Sequence, residues 1–137
     1  MMFEALERLR MIEDSIQAIE ENLPETYEEF SEMSKIVKDG IYKNLEVISE
    51  MFIDLCYLLV RSYKLSTPAD DVNAVDILIR KGILPGRLGD NIKQIRGFRN
   101  ILVYRYGTIN EELAYENIRE GLEDLKEIYN FFIETFE

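Results

Sequence analysis

Apolar residues recur along this chain at three- and four-residue steps, the period of a helix with one buried face. Leu6, Leu9, Ile12, Ile16, Ile19 and Leu23 predict a first helix over residues 3–22. Pro24 stops it, because proline disfavours helical backbone at the residue before it. Thr26 followed by Glu29 reads as a capping box that starts a new helical segment. The strongest pattern covers residues 31–63, where Val37, Ile41, Leu45, Ile48, Phe52, Leu55 and Leu59 keep the rhythm for more than four turns, with Gly40 as a candidate bend. Between Leu45 and Val60 the chain is apolar almost all round, which predicts the central helix. Glu46, Glu50 and Asp54 make that stretch too charged to span a membrane.

Ser66-Thr67-Pro68 signals a loop and the start of a short helix over 70–81, built on Val72, Val75, Ile77 and Leu78 and ended by Gly82. Pro85-Gly86 predicts a turn, and a fourth long pattern covers 88–104. After the break Gly107-Thr108-Ile109-Asn110, the last helix carries Leu113, Ile118, Leu122, Leu125, Ile128, Phe132 and Ile133. No segment alternates at period two for long enough to predict a strand. Short connections favour antiparallel neighbours, so the expected fold is all-α, an up-and-down bundle of about five helices in a single domain over residues 1–137.

Composition narrows the chemistry. The chain has 137 residues, no histidine and one cysteine, Cys56, which sits in an apolar run and reads as a small buried hydrophobe. A zinc site built from one cysteine and carboxylates is improbable, and no metal or cofactor is expected. Without a cysteine framework or a signal-like start, the expected location is cytoplasmic, with no membrane partner. The net charge of −11 opposes general attraction to phosphates. Nucleic acid would therefore have to meet a local basic cleft, or the chief partner is another protein.

Two polar features interrupt the apolar pattern. Glu46, Glu50 and Asp54 follow one another at four-residue spacing and share one face of the central helix. In the 88–104 helix the apolar stripe runs Leu88, Ile92, Ile95, then Arg99, then Leu102 and Tyr106, so arginine stands where leucine is expected. Arg96, Asn100 and Tyr104 form a neighbouring polar row at four-residue spacing. The pattern is consistent with a buried structural ion pair between Arg99 and Asp54 or Glu50. From pattern alone the structural pair is the favoured reading, and the alternative is a functional cluster in a cleft.

Residues 97–106 read G-F-R-N-I-L-V-Y-R-Y. This segment resembles the motif of HepT-like HEPN toxins, in which an arginine, commonly followed by asparagine, precedes a histidine, any residue and a tyrosine. Arg99 matches the motif arginine, Asn100 its polar neighbour and Tyr106 the terminal tyrosine, whereas Tyr104 occupies the histidine position. Glu50 and Asp54 in their apolar helix and the leucine-rich segment after Pro68 extend the likeness across residues 42–132. The resemblance implies a metal-independent RNA endonuclease that acts as a homodimer, the toxin of a pair whose antitoxin is a minimal nucleotidyltransferase. It implies catalytic roles for Arg99, Tyr104 and Asn100, supporting roles for Glu50, Asp54 and Arg96, and Tyr106 as the acceptor when the antitoxin adds AMP. Side chains five apart on a regular helix diverge by about 140°, so Arg99 and Tyr104 fit a site shared between helices or subunits better than one on a single helix face.

Tyr104 is the departure that matters chemically. RNA cleavage through the 2′-hydroxyl requires a base for that proton, an acid for the leaving oxygen and a cation for the charge on phosphorus. Arg99 suits the last role, because a guanidinium stays charged and grips phosphate bidentately. Histidine titrates near the operating pH, but a phenol has a reference pKa of about 10. The resemblance therefore implies an impaired nuclease. The contrasting reading is a non-catalytic helical module that binds a nucleotide or a protein, with a structural dimerisation bundle as a third.

Overall fold

A computed structural model describes residues 2–104 and 110–137 of the chain, with side chains for residues 3–98 and 110–137. Among the described residues there are six helices and no strand: α1 (Met2–Asn22), α2 (Tyr27–Glu32), α3 (Lys35–Ser62), α4 (Asp71–Arg80), α5 (Gly86–Tyr104) and α6 (Glu111–Phe136). None is long and apolar enough to cross a membrane. Four of the six starts carry a side-chain cap. The Thr26 hydroxyl accepts from the Glu29 amide, Ser34 from Val37, Asp70 from Asn73 and Asn110 from Leu113, which satisfies one free amide at each of these starts.

Helix ends are marked as well. Gly82 has φ +71°, its amide bonds Ile79 O, and the Ile83 amide bonds Leu78 O, the paired closure of a left-handed C-terminal cap. The end of α3 closes in the same way through Lys64, at φ +55°, with the amides of Lys64 and Leu65 bonded to Arg61 O and Val60 O. A lysine there adopts a conformation that glycine enters without steric cost.

Long-range polar pairs give the direction of each helix. Glu4 meets Arg61 and Arg8 meets Asp54, so α1 and α3 run antiparallel. Glu13 meets Tyr129 and Glu20 meets Lys126, so α1 and α6 do too. Asp71 meets Arg96 and Asp76 meets Lys93, which sets α4 against α5, while Arg87 grips Glu127 bidentately across α5 and α6. The core follows α3. Ile41, Leu45, Ile48, Phe52, Leu55, Cys56, Leu58 and Leu59 are all buried, covered by α1 on one side and by α4 and α5 on others. Each such leucine, isoleucine or phenylalanine contributes about 1.5–3 kcal/mol on burial. The Cys56 thiol is fully enclosed, and burial pushes its pKa up to about 12, which keeps it protonated and unreactive.

The structure corrects several expectations. The helix expected over 31–63 is two helices: α2 ends at Glu32, Ser34 caps α3, and α3 passes through Gly40 as helix. Pro85-Gly86 opens α5 instead of forming a separate turn, since the Gly89 amide already bonds Pro85 O. Proline suits this place because it has no amide to leave unbonded. On α1 the buried position next to Leu9 is Ala5, and Leu6 is exposed; Val72 and Leu113 are also exposed. In each case another residue of the same turn, Ala5, Ala74 or Ala114, takes the covered face instead.

Two helical glycines should respond oppositely to alanine. A Cβ on Gly89 would collide with Ile79 Cδ1 and lie 2.9 Å from its Cγ1, on the side of α5 that packs against α4. Gly89→Ala should cost about 1–3 kcal/mol through overpacking. At Gly121 in α6 a Cβ would meet nothing within 4 Å. Gly121→Ala should therefore stabilise the fold by roughly 0.5–1 kcal/mol, because it relieves the chain-entropy cost of a helical glycine. Urea unfolding of the two variants checks both signs.

Candidate functional site

The central helix presents one polar line to the junction of α3, α4 and α5. Glu50, Asp54 and Tyr57 stand at four- and three-residue steps on α3 and line a cleft of about 130 Å³ together with Ser49, Ile53, Asp71 and Arg96. Asp71 is the hub of its polar network. Its Oδ2 accepts from Arg96 Nε at 3.0 Å and its Oδ1 accepts from the Tyr57 hydroxyl at 3.0 Å. Asp71 stands one residue after the Asp70 cap, so the same turn that starts α4 holds the α5 arginine in place. On the other flank Arg8 of α1 donates to Asp54 Oδ2 at 3.2 Å. The Tyr57 phenol is held above its ordinary pKa, first by desolvation and then by its hydrogen bond to Asp71 and that carboxylate's charge. At neutral pH it is a protonated donor.

Of the residues expected from the sequence, Glu50, Asp54 and Arg96 come together in this cleft. Glu46 does not join them and pairs with Lys43 on its own helix at 3.6 Å. Arg96 meets Asp71 and not the α3 carboxylates, and the cation on Asp54 is Arg8. The side chains of Arg99, Asn100 and Tyr104, the whole of Tyr106, and with them the expected pairing of Arg99 with Glu50 or Asp54, lie outside the described residues. In the register of α5, position 99 falls about one turn beyond Arg96. Among the described residues no group of three or more His, Cys, Asp or Glu is arranged to hold a metal ion.

Sequence reasoning missed Asp71, Tyr57, Ser49 and Arg8. Tyr57 was within reach: it extends the Glu50–Asp54 line by one further helical step. Asp71 and Arg8 carried no local signal, because their partners lie 25 and 46 residues away.

A raised phenol pKa has a definite consequence for stability. A group whose folded pKa exceeds its unfolded value contributes below the unfolded value and loses that contribution as pH rises through the folded one. Tyr57 is raised, while Tyr42 and Tyr129 are each pushed up to about 12, chiefly by desolvation. Unfolding free energy should therefore fall from about pH 10 upward, the ordinary range of tyrosine. Tyr57→Phe should cost about 0.5–1.5 kcal/mol at neutral pH, for one lost hydrogen bond, and flatten part of the alkaline decline. Urea titrations across pH 8–12 read both.

Comparison with known proteins agrees with this architecture. Residues 12–131 match the family described as HepT-like, Ribonuclease HepT-like. An Archaeoglobus fulgidus protein named "Putative RNase" is 30% identical over 112 residues, covering 82% of this chain and 80% of that protein. The Shewanella oneidensis mRNA nuclease HepT is 26% identical over 91 residues, covering 66% of this chain and 68% of that protein. In three dimensions, the tri-AMPylated HEPN toxin of Shewanella oneidensis, solved in complex with MNT antitoxin, superposes with a TM-score of 0.85 at 21% identity, covering 96% of this chain and 97% of the other. With a family match over most of its length and the same helical fold, the chain belongs to the HepT-like ribonuclease family.

Proposed function

We propose that this protein is the ribonuclease toxin of a toxin–antitoxin pair, working as a homodimer on RNA without a metal ion and restrained by a nucleotidyltransferase-type antitoxin. The observation that carries the reading is the family match over residues 12–131, which includes the whole motif segment from Arg99 to Tyr106. Two relatives support it. The HepT of Shewanella oneidensis is an mRNA nuclease, and the AMPylated toxin of that organism was solved with an MNT antitoxin.

Within that reading the cleft residues divide the labour. Asp71 neutralises Arg96 and Arg8 neutralises Asp54, so both of these arginines are already committed to a carboxylate. By its match to the family motif Arg99 is the cation for the phosphate, with Asn100 beside it, and Glu50, Asp54 and Arg96 shape the wall of the cleft. In the reaction, the 2′-oxygen bonds to phosphorus as its proton leaves, and the bond from phosphorus to the 5′-oxygen breaks as that oxygen gains a proton. A histidine at position 104 would serve in that proton transfer; a phenol, with a reference pKa of about 10, is a poorer base at neutral pH. A specific observation favours the second reading, a non-catalytic nucleotide- or protein-binding module. The chain has no histidine anywhere and a net charge of −11.

Side-by-side cleavage of RNA by the natural chain and Tyr104→His separates the two. The variant should cut faster by about 10²–10⁴-fold, the span of general acid–base assistance. Arg99→Ala in the Tyr104→His background should remove the gain. A Tyr104→His protein as inert as its parent would leave the binding module ahead, and a monomer mass by light scattering would remove the shared site.

Regulation gives an independent check. With a cognate nucleotidyltransferase and ATP, intact mass should rise by whole AMP units mapped to Tyr106, and Tyr106→Phe should abolish that modification while keeping the fold. The new phosphate would add charge next to the motif arginine and compete with RNA for it. Modification mapped to Tyr104 instead would overturn the assignment of the acceptor.

A further inference from the structure

A second and larger cleft, of about 330 Å³, opens between α5 and α6, away from the Asp71 network. Its floor is apolar, formed by Leu45 of α3, Ile95 and Phe98 of α5, and Ile118 and Leu125 of α6. Its rim is polar: the amides of Asn91, Gln94 and Asn117 and the carboxylates of Glu120 and Asp124. None of the three amides makes a hydrogen bond to a described residue. Gly121 leaves the α6 wall without a side chain, and a Cβ there would meet nothing within 4 Å.

From this arrangement we infer that the α5–α6 cleft is a pocket for a single unpaired nucleobase, with guanine preferred. A base is a flat body with apolar faces and a polar edge, and the cleft offers the matching pair of surfaces. Phe98 and the aliphatic floor provide the face contact, as aromatic side chains do for splayed-out bases. Amides supply both donors and acceptors to an edge. Size agrees, since small-molecule pockets span roughly 300–1,000 Å³. Glu120 and Asp124 determine which base enters. A carboxylate only accepts, so it favours the edge of guanine, which presents a ring N–H and an amino group, and disfavours the two carbonyls of uracil. The same charges keep the phosphates out of the cleft and direct them elsewhere. Phe98 immediately precedes Arg99 in α5, so a base held here lies beside the motif helix. The inference rests on the ribonuclease reading only for the source of the base, not for the pocket.

Nucleosides isolate the pocket because they carry no phosphate. In amide-proton NMR titrations of the full chain, guanosine should shift resonances at Asn91, Gln94, Asn117 and Gly121, with uridine at least tenfold weaker. Gly121→Leu fills the open side of the cleft with a better helix former, so its melting temperature should hold while guanosine binding falls at least tenfold. Glu120→Gln with Asp124→Asn should erase the preference between the two nucleosides. Anisotropy with U5 and with the same pentamer carrying one central guanosine then identifies the source. Tighter binding of the guanosine-containing pentamer than of guanosine alone means RNA, and equal binding means free nucleosides. Guanosine bound equally by Gly121→Leu and the natural chain, or no difference between guanosine and uridine, overturns the proposal. So does a cleft silent to nucleosides whose resonances shift only with a nucleotidyltransferase partner, which would make it a protein-docking surface. A chain that binds guanosine but cuts no RNA, even as Tyr104→His, fails the nuclease reading and leaves this pocket standing.

Discussion

A helix that is apolar around nearly its whole circumference has to be covered on every side, and α3 imposes that demand on the molecule. The buried residues from Ile41 to Val60 leave few uncovered positions. α1 takes one side, α4 and α5 take others, and α6 completes the packing through Phe132 stacked on Phe52, with ring centroids 5.9 Å apart. The line Glu50–Asp54–Tyr57 is where covering stays partial, with the Asp54 side chain still 42% exposed, because a carboxylate removed from water without a partner is strongly disfavoured. Neighbouring helices can close over that line only by bringing cations and donors. Arg8 and the Arg96–Asp71 pair do so, and what remains between them is the cleft. The site is thus a consequence of burying α3.

Much of this was legible in the sequence because helical periodicity is a local property. The run from Leu9 to Leu23 needs only its own spacing to predict α1, and Thr26, Asp70, Gly82 and Asn110 act on amides and carbonyls a few residues away. The errors share one cause. Leu6, Val72 and Leu113 are apolar, but which face of the first turn is covered depends on the other helices, and Ala5, Ala74 and Ala114 are the residues they cover. The break at residues 33–34 was hidden because Phe30 and Val37 keep an apolar rhythm across it; Phe30 packs into an aromatic cluster with Tyr27, Tyr42 and Tyr115, which favours a separate short helix.

The candidate site shows the same division more sharply. Glu50 and Asp54 stood out as charges in an apolar helix, and Arg96 as part of a polar row. Their true partners did not, because Asp71 reads as one more acid at a helix start and Arg8 as one more base on a solvated face. The paired arginines also show why net charge misleads about binding. A chain at −11 can still meet phosphate if one cation is left uncommitted, and commitment is decided pair by pair. Arg8, Arg87 and Arg96 each have a carboxylate at 3.2 Å or closer.

That pairing also sets how the two clefts divide a nucleotide's chemistry. Around the Asp71 network Asp54 and Asp71 each accept from an arginine, Asp71 from a phenol as well, and the helix that supplies Arg96 continues into Arg99 and Asn100. Across α5 the larger cleft has acids and unpartnered amides on its rim and no cation among its lining residues. A phosphate is repelled there, whereas an uncharged, donor-rich edge is not. One helix, α5, therefore separates a side suited to charge from a side suited to a base. Its face residues Ile92, Ile95 and Phe98 hold the two apart by packing on the same core that α3 demands.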